Sequence, residues 1–131
     1  MSQSTVAQEA PLVLVVDDSD DIREMVRFVL DTSGYRVAVA ENGLEAVQMA
    51  RTESPDLILM DLSMPVLDGF GAVRGIRGMA EMCDVPIIAI SAHDTRDHRA
   101  KAFDVGFNDF LTKPIDFVHL VNLIHSLLEA A

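Results

Sequence analysis

Apolar positions recur along this chain in two alternating rhythms. LVLVVD (12–17) is a continuous apolar run of strand length, the pattern of a strand covered on both faces. From Ile22 the spacing changes. Met25, Val26, Val29 and Leu30 fall on one face of a helix, with Ser19 as its N-cap and Gly34 as its stop. YRVAVA (35–40) predicts a second strand. Leu44, Val47 and Ala50 mark a second helix, with Asn42 as its cap. Pro55 punctuates the chain before a third apolar strand, DLILMD (56–61). After the loop SMPVLDG, a glycine-diluted helix is expected from Phe70 to Met79. Pro86 introduces the strand IIAIS (87–91). A polar, weakly amphipathic helix over Thr95–Val105 ends at Gly106, and NDFLT (108–112) is a short fifth strand. Beyond Pro114 the last helix carries Phe117, Leu120, Val121, Ile124, Leu127 and Leu128 on one face.

Strands that alternate with helices of about ten residues predict a parallel sheet with helices on both faces. Right-handed crossovers restrict the topology. Five units suit the doubly wound α/β fold, a five-stranded parallel sheet of order 2-1-3-4-5, flavodoxin-like in architecture. Residues 1–10 form an expected disordered lead-in, and 11–131 the single domain.

Composition narrows the function classes. The chain has 131 residues, half of them apolar and 24% charged. A chain of this size buries roughly 68–70% of its unfolded surface, so it needs no disulfide or metal staple. The one cysteine, Cys83, cannot close an internal disulfide, which fits a reducing cytoplasm. The start, MSQSTVAQEAP, has no basic region of the kind that opens a signal peptide, and no apolar run approaches the length of a membrane span. A net charge of −11 argues against direct nucleic-acid or anionic-membrane binding and points toward cations or basic partner surfaces.

The acidic residues that matter chemically stand where strands end. In this fold, ligands bind beyond the carboxyl ends of the strands, at the switch point between strands one and three. Strand one ends in Asp17 and Asp18, strand three in Asp61. Three carboxylates so placed raise one another's pKa, and a hard divalent cation relieves the conflict. Mg²⁺ suits one or two carboxylates completed by water and phosphate oxygens. Ser91 ends strand four, and Lys113, one of two lysines, ends strand five. Two metal-binding carboxylates, a third carboxylate, a hydroxyl and an ammonium make a constellation suited to phosphoryl transfer. Asp61, alone at its strand end, is the candidate nucleophile. Asp20 and Asp21 are expected in the first helical turn, where acids suit the helix dipole. Asp68 and Gly69 are expected to shape a turn and a helix start. His93, His98, His119 and His125 show no metal-ligand spacing and are assigned to surface or packing roles.

The motifs VVDD (15–18), LMDLSMPVLDG (59–69), ISA (90–92) and LTKP (111–114), in this order, resemble the receiver domain of two-component response regulators. The resemblance spans about residues 11–130. It implies that Asp61 accepts a phosphoryl group from the phosphohistidine of a sensor histidine kinase or a histidine phosphotransfer protein. It implies Mg²⁺ held directly by Asp18 and Asp61, largely through water by Asp17, and by the Ser63 carbonyl. Ser91 and Lys113 would bind phosphate oxygens, and the Lys113–Pro114 bond would be cis. Ser91 and Phe110 would be the switch pair, with the polar fourth helix as the element that moves. Ser63 and His93 would tune dephosphorylation. Such a protein is not an enzyme in the usual sense, although it assists its own phosphorylation and slow dephosphorylation. Output would pass through the face of helix four, strand five and helix five. The chain would act as a stand-alone regulator, or be a relay or an excised receiver, as a monomer or a phosphorylation-dependent dimer.

Two other classes compete. Asp18-Ser-Asp20 mimics the DxD of haloacid-dehalogenase-like phosphatases, but the chain lacks room for a cap. A flavodoxin-like FMN binder would need hydroxyls and amides after strand one, where this chain places carboxylates that repel phosphate.

Overall fold

The computed structural model describes residues 10–130; the lead-in expected over 1–10 lies almost entirely outside them. The strands are β1 (Leu12–Val16), β2 (Arg36–Ala40), β3 (Leu57–Asp61), β4 (Ile87–Ser91) and β5 (Asp109–Thr112). The helices are α1 (Asp20–Thr32), α2 (Gly43–Glu53), α3 (Gly69–Arg77), α4 (Arg96–Val105) and α5 (Phe117–Ala130). The sheet is parallel with order β2-β1-β3-β4-β5, the expected doubly wound α/β arrangement. Among the described residues no helix is long and apolar enough to cross a membrane.

Burial explains why the three central strands read as unbroken apolar runs. Every residue of β1, β3 and β4 is buried. Successive side chains point to opposite faces. Leu14, Val16, Ile58 and Met60 therefore pack with Ala46, Val73 and Ile76 of α2 and α3. Val13, Val15, Leu57 and Leu59 pack with Val26, Leu30, Leu120 and Ile124 of α1 and α5. The edge strands β2 and β5 are covered less completely, which dilutes their apolar pattern.

Local polar contacts set the helix starts. Ser19 Oγ accepts from Ile22 N at 3.4 Å, Asn42 Oδ1 from Glu45 N at 2.8 Å, and Thr95 Oγ1 from His98 N at 3.1 Å. Asp68 caps α3 through Gly71 N at 2.9 Å.

The third helix is shorter than its apolar pattern implies. It ends at Arg77, and the chain continues through a short 3-10 turn over Ala80–Met82 that buries Met82. Arg77 ties these pieces together. Its guanidinium donates to the carbonyls of Val85 at 2.6 Å and Gly106 at 2.7 Å, and to Asn108 Oδ1 at 2.7 Å. Asn108 Oδ1 also accepts from Ile87 N at 2.8 Å. The loops before β4 and before β5 thus share one anchor on α3.

Candidate functional site

Five chain segments meet at the carboxyl end of the sheet. β1 stops at Val16, and the Asp17 amide still follows the ladder, donating to Ala40 O at 3.2 Å. Asp61 is the last residue of β3, Ser91 the last of β4, and Lys113 follows β5. Among the described residues, the buried polar or charged side chains are Asp17, Asp61 and Ser91, at 1%, 3% and 2% exposure. Buried polar groups cost stability unless partnered, so three at one end of the sheet mark a site.

Asp17, Asp18 and Asp61 each offer a carboxylate oxygen, and these lie within 4.8 Å of one another. Asp61 is fully engaged. Its Oδ1 accepts from Ser63 N at 3.0 Å, and its Oδ2 pairs with Lys113 Nζ at 3.2 Å. Asp17 is not. Its Oδ1 accepts from Ser19 N at 2.9 Å, but its buried Oδ2 has no hydrogen bond and only the Lys113 ammonium at 3.4 Å. Burial pushes the Asp17 carboxyl above the usual range; the Ser19 amide opposes this and the Asp61 charge adds to it. Burial pulls Lys113 the other way, yet Asp61 and Asp17 outweigh it and raise its pKa. Lys113 is therefore a fixed positive charge between two carboxylates.

The loop that carries Asp61 closes tightly on α3. Gly69 N donates to Leu62 O at 3.1 Å, and a Cβ at Gly69 would sit 2.6 Å from the Asp61 carbonyl oxygen. Gly69 thus belongs to the site's backbone as well as to the helix start. Gly69→Ala is expected to displace the Asp61–Ser63 turn and cost about 2 kcal/mol. Chemical denaturation measures that cost; an unchanged midpoint would contradict the close approach.

On the other side, a cleft of about 290 Å³ runs between the β3–α3 loop and α4. Ser63, Asp68, Phe70, Ser91, His93 and His98 are among its lining residues. His93 is exposed, and its backbone amide donates to Ser91 Oγ at 3.0 Å. Phe110 is buried beneath α4. The Lys113–Pro114 bond is cis.

These features have close counterparts. The family model for the response regulator receiver domain matches residues 13–125. The chain belongs to the response regulator receiver family. This receiver is 39% identical over 112 residues to an uncharacterized 14.6 kDa protein of Leptolyngbya boryana, covering 86% of each chain. It is 40% identical over 120 residues to the transcriptional regulatory protein PrrA of Mycobacterium tuberculosis. That match covers 92% of this chain but spans about half of PrrA, 51%. Among solved structures, it resembles the receiver domain of sensor histidine kinase PA1611 from Pseudomonas aeruginosa PAO1, with a TM-score of 0.86 and 33% identity. The match covers 92% of this chain and 98% of that one, whose active-site cleft holds a coordinated magnesium ion. The chemotaxis response regulator CheY4 of Vibrio cholerae matches with a TM-score of 0.86 and 31% identity, over 90% of this chain and 98% of that one.

The acidic pocket of this receiver fits a hard divalent cation. Three convergent carboxylates, one of them with an orphaned buried oxygen, form an all-oxygen donor set of the kind Mg²⁺ prefers. The structure brings Asp17, Asp18, Asp61 and Lys113 together, with Ser91 on the adjoining strand. Asp20 and Asp21 open α1, and Arg23 bonds both the Asp20 side chain and, at 2.6 Å, the Asp17 carbonyl.

One histidine departs from the surface-or-packing assignment. His98 Nε2 lies 3.1 Å from Ser91 Oγ, in direct contact with the site. Its spacing four residues before Ala102, the buried residue of α4, was a signal that it faces inward.

Proposed function

We propose that this receiver is a phosphorylation switch in which Asp61 takes a phosphoryl group from the phosphohistidine of a sensor histidine kinase or histidine phosphotransfer protein. In the transfer, an Asp61 carboxylate oxygen bonds to phosphorus, the donor's N–P bond breaks, and the imidazole leaves. The observation that carries this reading is the charge layout. Lys113 lies within 3.4 Å of both Asp17 and Asp61, while one oxygen of Asp17 remains without a hydrogen bond. The pocket thus holds a nucleophile, a cation to pair with incoming phosphate oxygens, and carboxylates to hold a metal.

Asp18 and Asp61 would hold Mg²⁺ directly, Asp17 largely through water, and the Ser63 carbonyl would add a ligand. Bound there, the ion neutralises the carboxylates and the charge of the phosphoryl oxygens. Ser91 would donate its hydroxyl to one phosphoryl oxygen and Lys113 its ammonium to another. Ser91 and Phe110 would form the switch pair, and Ser63 and His93 at the cleft mouth would set the rate at which water reaches the phosphoaspartate. Output would leave through α4, β5 and α5.

Intact-protein mass spectrometry after incubation with acetyl phosphate and Mg²⁺ tests the reading. One phosphoryl adduct is expected on the wild type, and none on Asp61→Asn or on metal-free protein. An equal adduct on Asp61→Asn would remove Asp61 as the acceptor and favour the phosphatase-like reading of Asp18.

A further inference from the structure

We infer that His98 is a positioning residue for Ser91: it holds the hydroxyl on α4 in the unphosphorylated state and must surrender it when the switch is thrown. The inference rests on the phosphoacceptor reading of Asp61.

Ser91 Oγ has two hydrogen-bond partners among the described residues. One is its own loop, the His93 amide at 3.0 Å; the other is His98 Nε2 at 3.1 Å. A hydroxyl has one proton and two lone pairs. With Nε2 unprotonated, the Ser91 proton is committed to His98. With Nε2 protonated, both lone pairs of Oγ are occupied by nitrogen donors. In either tautomer the hydroxyl is held toward α4. Where Nε2 is unprotonated, donation of that proton to a phosphoryl oxygen on Asp61 competes directly with the His98 contact; where Nε2 is protonated the Ser91 proton is free, and the two nitrogen donors hold only the position of Oγ.

The ring of His98 extends the competition to the rest of the switch. It meets Phe70 edge-on at 5.7 Å and Phe110 at 5.9 Å between centroids. α4 buries one small residue, Ala102. Its other contacts include Arg99 stacked 4.8 Å over the Phe110 ring and Lys101 placed 4.3 Å over the Phe70 ring. A helix with so little apolar anchorage depends on such contacts for its position. Loss of the Ser91–His98 bond removes one of them, so α4 is biased at the same moment that Ser91 turns to the phosphoryl group.

Beryllofluoride, a tetrahedral phosphoryl mimic that bonds to a carboxylate oxygen, tests this at equilibrium. Its dissociation constant is measured by fluorine NMR in the presence of Mg²⁺. His98→Phe retains an aromatic ring against Phe70 and Phe110 but cannot hydrogen-bond Ser91. It is expected to tighten binding roughly threefold to tenfold, the worth of one neutral hydrogen bond. His98→Gln, which keeps a polar partner, is expected to return toward wild type. In a Ser91→Ala background, His98→Phe is expected to change nothing, because the bond is already gone. Equal affinity of wild type and His98→Phe overturns the inference, and so does an equal gain in the Ser91→Ala background. A wild type that does not bind beryllofluoride overturns the phosphoacceptor reading itself, and the latch with it.

Discussion

Asp17→Asn is expected to make the metal-free protein more stable while weakening its response to Mg²⁺. The buried carboxylate has one oxygen that no hydrogen bond satisfies, and a second negative charge, Asp61, shares its pocket. Its pKa is raised, chiefly by burial. A raised pKa in the folded state means stability that is full below the ordinary value of 3.8 and lost as pH rises through the raised one. At neutral pH the metal-free protein therefore carries the cost of this ionised group. Asparagine keeps the acceptor for Ser19 N and removes the charge, and Lys113 keeps Asp61 as its partner. The gain should be about 1 kcal/mol, a rise in Tm of about 3 °C. Cation binding stabilises in proportion to the logarithm of ligand over Kd, so wild-type Tm should climb with Mg²⁺. The Tm of the variant should climb only at higher Mg²⁺, because Asp18 and Asp61 remain to hold the ion more weakly. A variant less stable than wild type in the presence of a chelator, or one that responds to Mg²⁺ at the same concentrations as wild type, would contradict this account of the acidic pocket.

Arg77→Ala is expected to cost about 3 kcal/mol, far more than an ordinary surface substitution. Besides Val85, Gly106 and Asn108, the guanidinium reaches Cys83 O at 3.2 Å and Met82 O at 3.4 Å. Those acceptors belong to the 3-10 turn and to the loops that lead into β4 and β5. Truncation leaves the partly buried ones without a donor and frees both loops together. Burial lowers the Arg77 pKa, with Asp84 and Cys83 opposing the change, yet a guanidinium remains charged near neutral pH. Lysine cannot reproduce the forked geometry, so Arg77→Lys should recover only part of the loss. Urea denaturation should show a lower midpoint with an unchanged slope. A midpoint within experimental error of wild type would show that the loops hold themselves.

The readability of this chain follows from which contacts are local. Central strands announce themselves because both faces are covered, which forces apolar residues at every position from Leu12 to Val16 and from Leu57 to Met60. Caps are equally legible, since Ser19 and Asn42 each act within four residues. Asp17, Asp18, Asp61 and Lys113 could be placed in one pocket because the topology of a parallel sheet brings strand ends together whatever the loops do. What escaped was tertiary. Nothing near Arg77 in sequence shows that it would bond loops on either side of β4. The bond from His98 to Ser91 spans a loop and the first turn of a helix whose face is weakly patterned. Val66 adopts a left-handed backbone, φ 71°, although a β-branched residue there is disfavoured and its sequence neighbours give no warning.

The thin anchorage of α4 also bears on how such a protein diversifies. A helix that contributes almost nothing to the core can change most of its residues without endangering the fold. Its outer face is then open to drift and selection while Ala102 and the ring contacts keep its seat. With output leaving through α4 as proposed, new listeners can arise on that face through substitutions that leave the acidic pocket untouched. One chemical event can in this way be rewired to many recipients.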